Sequence, residues 1–373
     1  MSHKNRFHKD QNLSRWVMGL AVCVTLYHWA VWEHIHLTRQ ISWPDLLARW
    51  DSGWYTDIIR NGYQGPNYAF YPLFPAIIAF IAKLLSPEFP IQIIGAILSA
   101  ALFLGFSFAI SRLSSHTHDG KFSWGLLPQT RLGWFIFAWS PASYIFQSHH
   151  TESIFLCLSF AAFLACEKKW FYTASLLAGL CALTKNQGIF VAVSVGFWWA
   201  SHEDQLRTKI TRFAVSGILS GFLFALFPMY SYLKTGDLTA FYSAQDHWRP
   251  EMTLSSYAKA LWFGNSWQNT NLGSLERYAL FWLLAYAAIT VWKKHKPLGL
   301  YVALFTGIMP LSGEFVGTFR YSSVIWPAWY AFAHWIEALP PKAKKAVLPI
   351  VVIAFLYQNH LLTRCFGLGS WSY

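Results

Sequence analysis

Apolar runs of roughly 17 to 25 residues recur along this chain, each long enough to cross a hydrocarbon core of about 30 Å as a helix. Lipid offers no water to satisfy backbone groups, so a spanning segment is a helix or part of a closed barrel. Runs of this length, separated by short charged intervals, read as helices. Composition agrees: 55% of residues are hydrophobic and 12% charged, with 21 tryptophans in 373 residues, more apolar material than a soluble core of this size requires. The fold class expected is all-α, a polytopic membrane protein with roughly 8 to 11 membrane segments.

The formal charge of +12 would suit a nucleic-acid partner only if the basic residues formed a stripe. They sit instead in small clusters at the ends of apolar runs, as topology demands. Lys4, Arg6, Lys9 and Arg15 precede the run 16–32, which lacks a small-residue cleavage site and so reads as a retained helix after a cytoplasmic N-terminus, 1–15. If 112–131, 167–170, 201–212, 293–297 and 340–345 are also cytoplasmic, that side holds most of the 29 Lys and Arg residues. The opposite side then holds a first loop, 38–70, with an amphipathic helix, and a second loop, 234–275. Further crossings are expected at 91–110, 132–146, 154–166, 213–233, 278–292, 298–311, 321–336 and 346–361. This map needs 71–85 to be re-entrant and 171–200 to be a hairpin broken at 184–188; in the alternative, 71–85 crosses fully. With no repeat, linker or composition shift, residues 1–373 read as a single integral domain.

Five cysteines, Cys23, Cys157, Cys166, Cys181 and Cys365, lie in or beside apolar runs without CxxC or metal-ligand spacing, and read as free thiols. No Walker A sequence, dinucleotide fingerprint or GxSxG elbow is present, which argues against direct use of a nucleotide and against an ordinary serine hydrolase.

Chemistry is expected where polar residues sit on the noncytoplasmic side. Asp51 lies between Trp50 and Trp54, with Tyr55 next, in a segment where Leu47, Trp50, Trp54 and Ile58 recur at helical spacing. It reads either as an interfacial carboxylate paired with Arg49 or as a general base, a partly desolvated carboxylate that takes a proton from an acceptor hydroxyl. Asp57 reads as a solvated helix-surface charge. In Gln147-Ser148-His149-His150-Thr151-Glu152 the spacing does not put two ligands on one helix face, so a metal site is not expected. Thr151 reads as a helix cap and Glu152 as a first-turn acid or a substrate contact. Lys185, with no acidic neighbour in sequence, and Arg320 read as headgroup-snorkelling cations or as ligands for a lipid phosphate. Asp246 and His247 read as a solvated loop pair or a second acid/base pair.

Arg49-Trp50-Asp51-Ser52 with Tyr55, Gly62-Tyr63 and Ala69-Phe70-Tyr71-Pro72-Leu73-Phe74-Pro75 resembles the PIG-V family, the second mannosyltransferase of glycosylphosphatidylinositol synthesis, and its bacterial relatives. Ser140-Pro141-Ala142-Ser143 with Thr151-Glu152-Ser153, then Leu183-Thr184-Lys185-Asn186-Gln187-Gly188, and finally Arg320-Tyr321 are similar to its later motifs. The resemblance implies a GT-C fold that transfers a mannosyl residue, with inversion, from polyprenyl (dolichyl-type) phosphate mannose to a noncytoplasmic glycolipid, glycan or protein acceptor. Asp51 would then be the base, and Lys185 and Arg320 would hold the donor phosphate. Glu152, His150, Trp50, Tyr55, Asp246 and His247 would meet sugar or acceptor. No cofactor is called for, with a divalent metal left open, and the implied location is a bacterial inner membrane with its site facing the periplasmic or extracellular side. A transporter or flippase for a lipid-linked or small polar substrate is the competing reading, and a histidine-dependent acyltransferase using His149 or His150 is a third.

Overall fold

A computed structural model describes residues 3–115, 130–247, 253–261, 272–312, 315 and 317–370. Parts of the expected second loop (248–252 and 262–271) and most of the basic interval 112–131 lie outside the described residues. Those described are helical, with no strand among them. In chain order the helices are α1 (His3–Arg39), α2 (Trp43–Leu47), α3 (Asp51–Asn61), α4 (Leu73–Leu84), α5 (Ile91–Ser115), α6 (Arg131–Ala138), α7 (Glu152–Glu167), α8 (Phe171–Thr184) and α9 (Gly188–Ala200). There follow α10 (Leu206–Thr235), α11 (Ala240–Ser243), α12 (Leu254–Leu261), α13 (Leu272–Lys294), α14 (Lys296–Gly307), α15 (Thr318–Ser323), α16 (Trp326–Ala338) and α17 (Pro341–Gly367).

Among the described residues three helices, α5, α10 and α17, are long and apolar enough to cross a membrane. The runs at 73–84, 171–184, 188–200 and 296–311 are apolar but shorter. α1 and α13 also reach spanning length, but without an equally apolar and charge-poor stretch of 18 residues. At 1.5 Å per residue, the 12 residues of α4 rise only about 18 Å, and the 12 of α14 rise no more, each short of a hydrocarbon core of about 30 Å.

Two expected crossings are interrupted, and proline explains where. The run 132–146 is not one helix: α6 stops at Ala138, and a 3-10 turn, Ser143–Gln147, follows. Pro141 has no N–H to continue a helix and pushes Ser140 away from helical geometry. The run 321–336 divides at Val324 and Ile325, because Pro327 is accommodated only in the first turn of α16. The break at 184–188, by contrast, falls where the sequence puts it. α8 and α9 form a tight hairpin whose approach requires glycine: a Cβ on Gly188 would lie 2.2 Å from the backbone N of Ala182.

The core between these helices is aromatic. Trp32, Trp134, Trp326 and Trp329 are fully buried, and Tyr301 donates to Val324 O at 2.9 Å. A buried polar knot also crosses it. His28 of α1 contacts the Asn359 amide oxygen of α17 through Nε2 at 2.8 Å, and Asn359 Nδ2 donates to Ser140 O and Ser143 Oγ at 2.9 Å. With the Gln147 amide turned so that its nitrogen donates to Ser143 O and His28 Nδ1, a neutral imidazole satisfies both neighbours. This knot fixes the stretch 139–151, with its 3-10 turn, that leads into α7.

Replacing Gly188 by Ala should lower stability by about 1–3 kcal/mol through overpacking against α8. Gly217→Ala in α10, where a Cβ meets nothing within 4 Å, should not. Thermal unfolding of the two variants in the same detergent checks the contrast.

Candidate active site

The site begins at a turn. Instead of one amphipathic helix through residues 47–58, the chain makes α2, breaks, and restarts as α3. Between them Trp50 adopts φ 57° and ψ −117°, with Ser52 N donating to Arg49 O at 3.2 Å. A glycine takes that turn position without strain; a tryptophan holds it at a cost of about 1–3 kcal/mol, sustained by surrounding packing. Trp50 packs against the main core, and Arg49 donates to Gly367 O at the end of α17 at 3.1 Å. Arg49 is thus engaged with the backbone, and Asp51 becomes the first residue of α3.

The stretch 139–151 brings a second carboxylate to the same place. His149 N donates to Leu47 O at 3.3 Å, Ser99 Oγ donates to His150 O at 3.2 Å, and the His150 ring lies 3.1 Å from Ser52 Oγ and 2.9 Å from Ser148 Oγ. Glu152, the first residue of α7, is fully excluded from solvent. Lys185 Nζ donates to Glu152 Oε1 at 2.7 Å, and Arg320 Nε donates to the same oxygen at 2.6 Å. Arg320 Nη1 in turn contacts Asp51 Oδ2, across 269 positions of sequence. The Lys185 ammonium also lies 5.5 Å from the centre of the Tyr321 ring.

Each charge sits at the helix end that suits its sign. Asp51 and Glu152 occupy first turns, where unpaired N–H groups favour anions; Lys185 follows the last residue of α8, and Arg320 lies in the last turn of α15, where carbonyls favour cations. The four charges balance. Their exposure is unequal: the Glu152 side chain is 0% exposed, Arg320 7% and Lys185 9%, while Asp51 is 30% exposed. Asp51 is therefore the open member of a buried ion group, beside cations able to meet an anionic substrate.

The family described as Mannosyltransferase (PIG-V) matches residues 35–248, more than half of the chain. The chain belongs to the PIG-V mannosyltransferase family. It is 27% identical over 164 residues to "GPI mannosyltransferase 2" of Drosophila pseudoobscura pseudoobscura, covering 40% of this chain and 34% of that protein. It is 30% identical over 155 residues to "GPI alpha-1,6-mannosyltransferase 2" of Cricetulus griseus, covering 40% of this chain and 30% of that one. The chain thus spans about a third of the length of these curated relatives. No solved structure matches it.

In this PIG-V family member Asp51, Glu152, Lys185 and Arg320 form the ion group, with His150 against its α3 edge. Lys185 does have an acidic partner, Glu152, 33 positions away. Asp51 pairs with Arg320 rather than with Arg49. Thr151 precedes α7 but does not cap it; its hydroxyl faces Glu152 Oε2 at 3.5 Å. Tyr55, one turn beyond Asp51, is buried with its ring edge-on to Phe70, Phe74 and His149. Trp50 is half-buried. Asp246 and His247 are exposed on the 3-10 turn Ala244–His247, beside the 184–188 break: Asn186 Nδ2 donates to the neighbouring Gln245 at 3.4 Å. They stand outside the buried ions. His149 is fully buried, and neither ring nitrogen has a hydrogen-bond partner among the described residues; Nδ1 would lie 1.7 Å from a Cβ on Gly95, so α5 docks there only as glycine. Among the described residues no group of three or more His, Cys, Asp and Glu could hold a metal ion.

Sequence reading missed one organising pair. Asp57 is not merely a solvated charge: Asn61 Nδ2 and Asn67 Nδ2 each donate to it at 2.8 Å. Asn67, fully buried, also accepts from Gln64 N at 2.7 Å and donates to Gly62 O at 3.1 Å. It folds the 62–70 segment back onto α3, with Tyr63 and Tyr68 against Phe227 of α10. Spacing carries no signal for this contact, because it depends on a chain reversal at Gly62, where φ is 78°.

The two amide donors hold the Asp57 carboxyl below its ordinary value. A depressed folded pKa contributes stability above the unfolded value of 3.8, which is lost as pH falls through the folded value. Proteolysis of the 62–70 segment should therefore be slow at neutral pH and accelerate only below the ordinary carboxylate range. In Asn67→Ala it should already be fast at neutral pH.

Proposed function

We propose that this chain is an integral membrane mannosyltransferase with a GT-C fold of roughly 8 to 11 membrane segments, folded as one domain over residues 1–373. Its donor is a polyprenyl (dolichyl-type) phosphate mannose and its acceptor a hydroxyl of a glycolipid, glycan or protein. Its location is a multi-pass position in a bacterial inner membrane, with the site on the periplasmic or extracellular side. The observation that carries the reading is the contact of Asp51, the most open acid of the ion group, with Arg320, which shares Glu152 Oε1 with Lys185. A candidate base and two phosphate-binding cations thus adjoin one another. Family membership favours the transferase over the transporter reading. The complete burial of His149 and His150 argues against a histidine-dependent acyl transfer, which needs its base within hydrogen-bond reach of substrate.

In the proposed reaction the acceptor oxygen attacks the anomeric carbon from the face opposite the phosphate. Its proton passes to Asp51 as the C–O bond to phosphate breaks, and the leaving polyprenyl phosphate keeps the electron pair. Charge develops on that phosphate in a water-poor site, where Lys185 and Arg320 stabilise it electrostatically. Half-buried Trp50 and the exposed Asp246 and His247 are assigned to sugar or acceptor. The buried Tyr55 and His150 act through the α3 segment that carries Asp51.

The test is release of polyprenyl phosphate from polyprenyl phosphate mannose in the presence of a detergent extract of host envelope. Wild type should release it, and Asp51→Asn, folded as judged by its unfolding transition, should be slower by about 10²-fold or more. No release from any polyprenyl phosphate sugar would bring the transporter reading forward. Equal release by both proteins would remove Asp51 as the base.

A further inference from the structure

We infer that Glu152 is a positioning residue that holds Lys185 and Arg320 together as a two-cation clamp for one phosphate group and does not itself touch sugar or acceptor. This rests on the donor proposed above and reassigns a residue that the sequence pointed toward sugar or acceptor. The Glu152 side chain is wholly excluded from solvent, and its Oε1 already accepts from Lys185 Nζ at 2.7 Å and Arg320 Nε at 2.6 Å. Its other oxygen faces the Thr151 hydroxyl at 3.5 Å. A carboxylate enclosed in this way has no surface to offer a sugar.

What it does offer is spacing. Because both cations bond to a single oxygen, their nitrogens lie no farther apart than two hydrogen bonds laid end to end, a gap that two oxygens of one phosphate group bridge. Two cations at that separation repel each other, and the shared anion between them offsets the repulsion. The clamp is also held from behind. The Lys185 ammonium rests over Tyr321, the residue after Arg320, and Gly317, at φ 86°, lets that ring come within 3.1 Å of where a Cβ would stand. The second contact of Arg320, to Asp51, is the more exposed one. An arriving phosphate therefore exchanges with Asp51, leaving Glu152 in place and the base turned toward the acceptor.

The groups facing Lys185 are Glu152 of α7, Arg320 and Tyr321 of α15, Asp51 of α3 and His150. Lys185 lies in the break between α8 and α9; burial lowers its pKa, and the Glu152 charge is the largest influence raising it. A Glu152→Gln variant keeps the shape and removes that charge. Its lysine then loses its proton at lower pH, and the clamp loses one cation as pH rises.

The experiment measures binding of polyprenyl phosphate, which carries no sugar, to wild type, Glu152→Gln and Glu152→Asp across pH 5.5 to 8.5, alongside the donor KM; this roughly three-unit window brackets neutrality on the alkaline side of the ordinary carboxylate range. Wild type should bind with little pH dependence. Glu152→Gln should bind at least about tenfold more weakly at the alkaline end and recover on acidification, with donor KM following the same curve. Glu152→Asp, which keeps the charge, should retain the wild-type profile at reduced affinity, and it serves as the test if the glutamine variant does not fold. Equal polyprenyl phosphate affinity in wild type and Glu152→Gln, or a loss that is uniform across pH, would overturn the positioning role. Failure of wild type to bind polyprenyl phosphate at all would instead overturn the donor reading.

Discussion

A chain of ion pairs, Lys185 to Glu152 to Arg320 to Asp51, buried except at Asp51, sets the terms for the rest of this structure. Taking each ion out of water costs several kcal/mol, and only close, well-oriented partners offset that. Here Glu152 serves two cations and Arg320 serves two anions, so no member can be removed without leaving a buried charge unmatched. Four segments distant in sequence must therefore arrive within hydrogen-bond tolerance of one point. Helix polarity eases the arrangement, with both acids at N-terminal ends and both bases at C-terminal ends.

That requirement explains why the helices around the site are broken. The middle of a straight spanning helix offers side chains to its flanks, whereas an end or an interruption can aim one at a common centre. Pro141 stops α6 and frees the stretch that carries His150 toward Glu152; the strained turn at Trp50 starts α3 at Asp51; the Gly188 contact folds α9 back on α8 and leaves Lys185 between them. Such irregular backbone is sustained at depth only where protein satisfies it. The His28, Gln147, Asn359 and Ser143 knot does so for the 139–151 stretch, tying it to α1 and α17.

The sequence announced the helical class, the 184–188 break and the candidate charges, because long apolar runs and isolated ions carry their meaning locally. What it could not announce was pairing. Lys185 looked solitary because its acid lies 33 positions back, and Asp51 looked like a partner for Arg49 because the two are near neighbours, while the guanidinium that meets it comes from α15. The division of 132–146 also had a local signal in Pro141, whose missing N–H weakens a helix there, although α10 and α17 run through Pro228 and Pro349.

The extent of the family match sharpens what the C-terminal third contributes. Residues 35–248 include Asp51, Glu152 and Lys185 but not Arg320. Without Arg320 the remaining group would hold two acids against one base, with Glu152 half-served and Asp51 deprived of the cation it contacts. The segments after 248 therefore complete the charge balance as well as the packing. α15 supplies the guanidinium, and α17 reaches back to the start of the chain, through Asn359 to His28 and through the Gly367 carbonyl to Arg49, beside the turn that presents Asp51. A matched segment that carries most of a site's side chains can thus still depend on an unmatched one for the single residue that makes their burial tolerable.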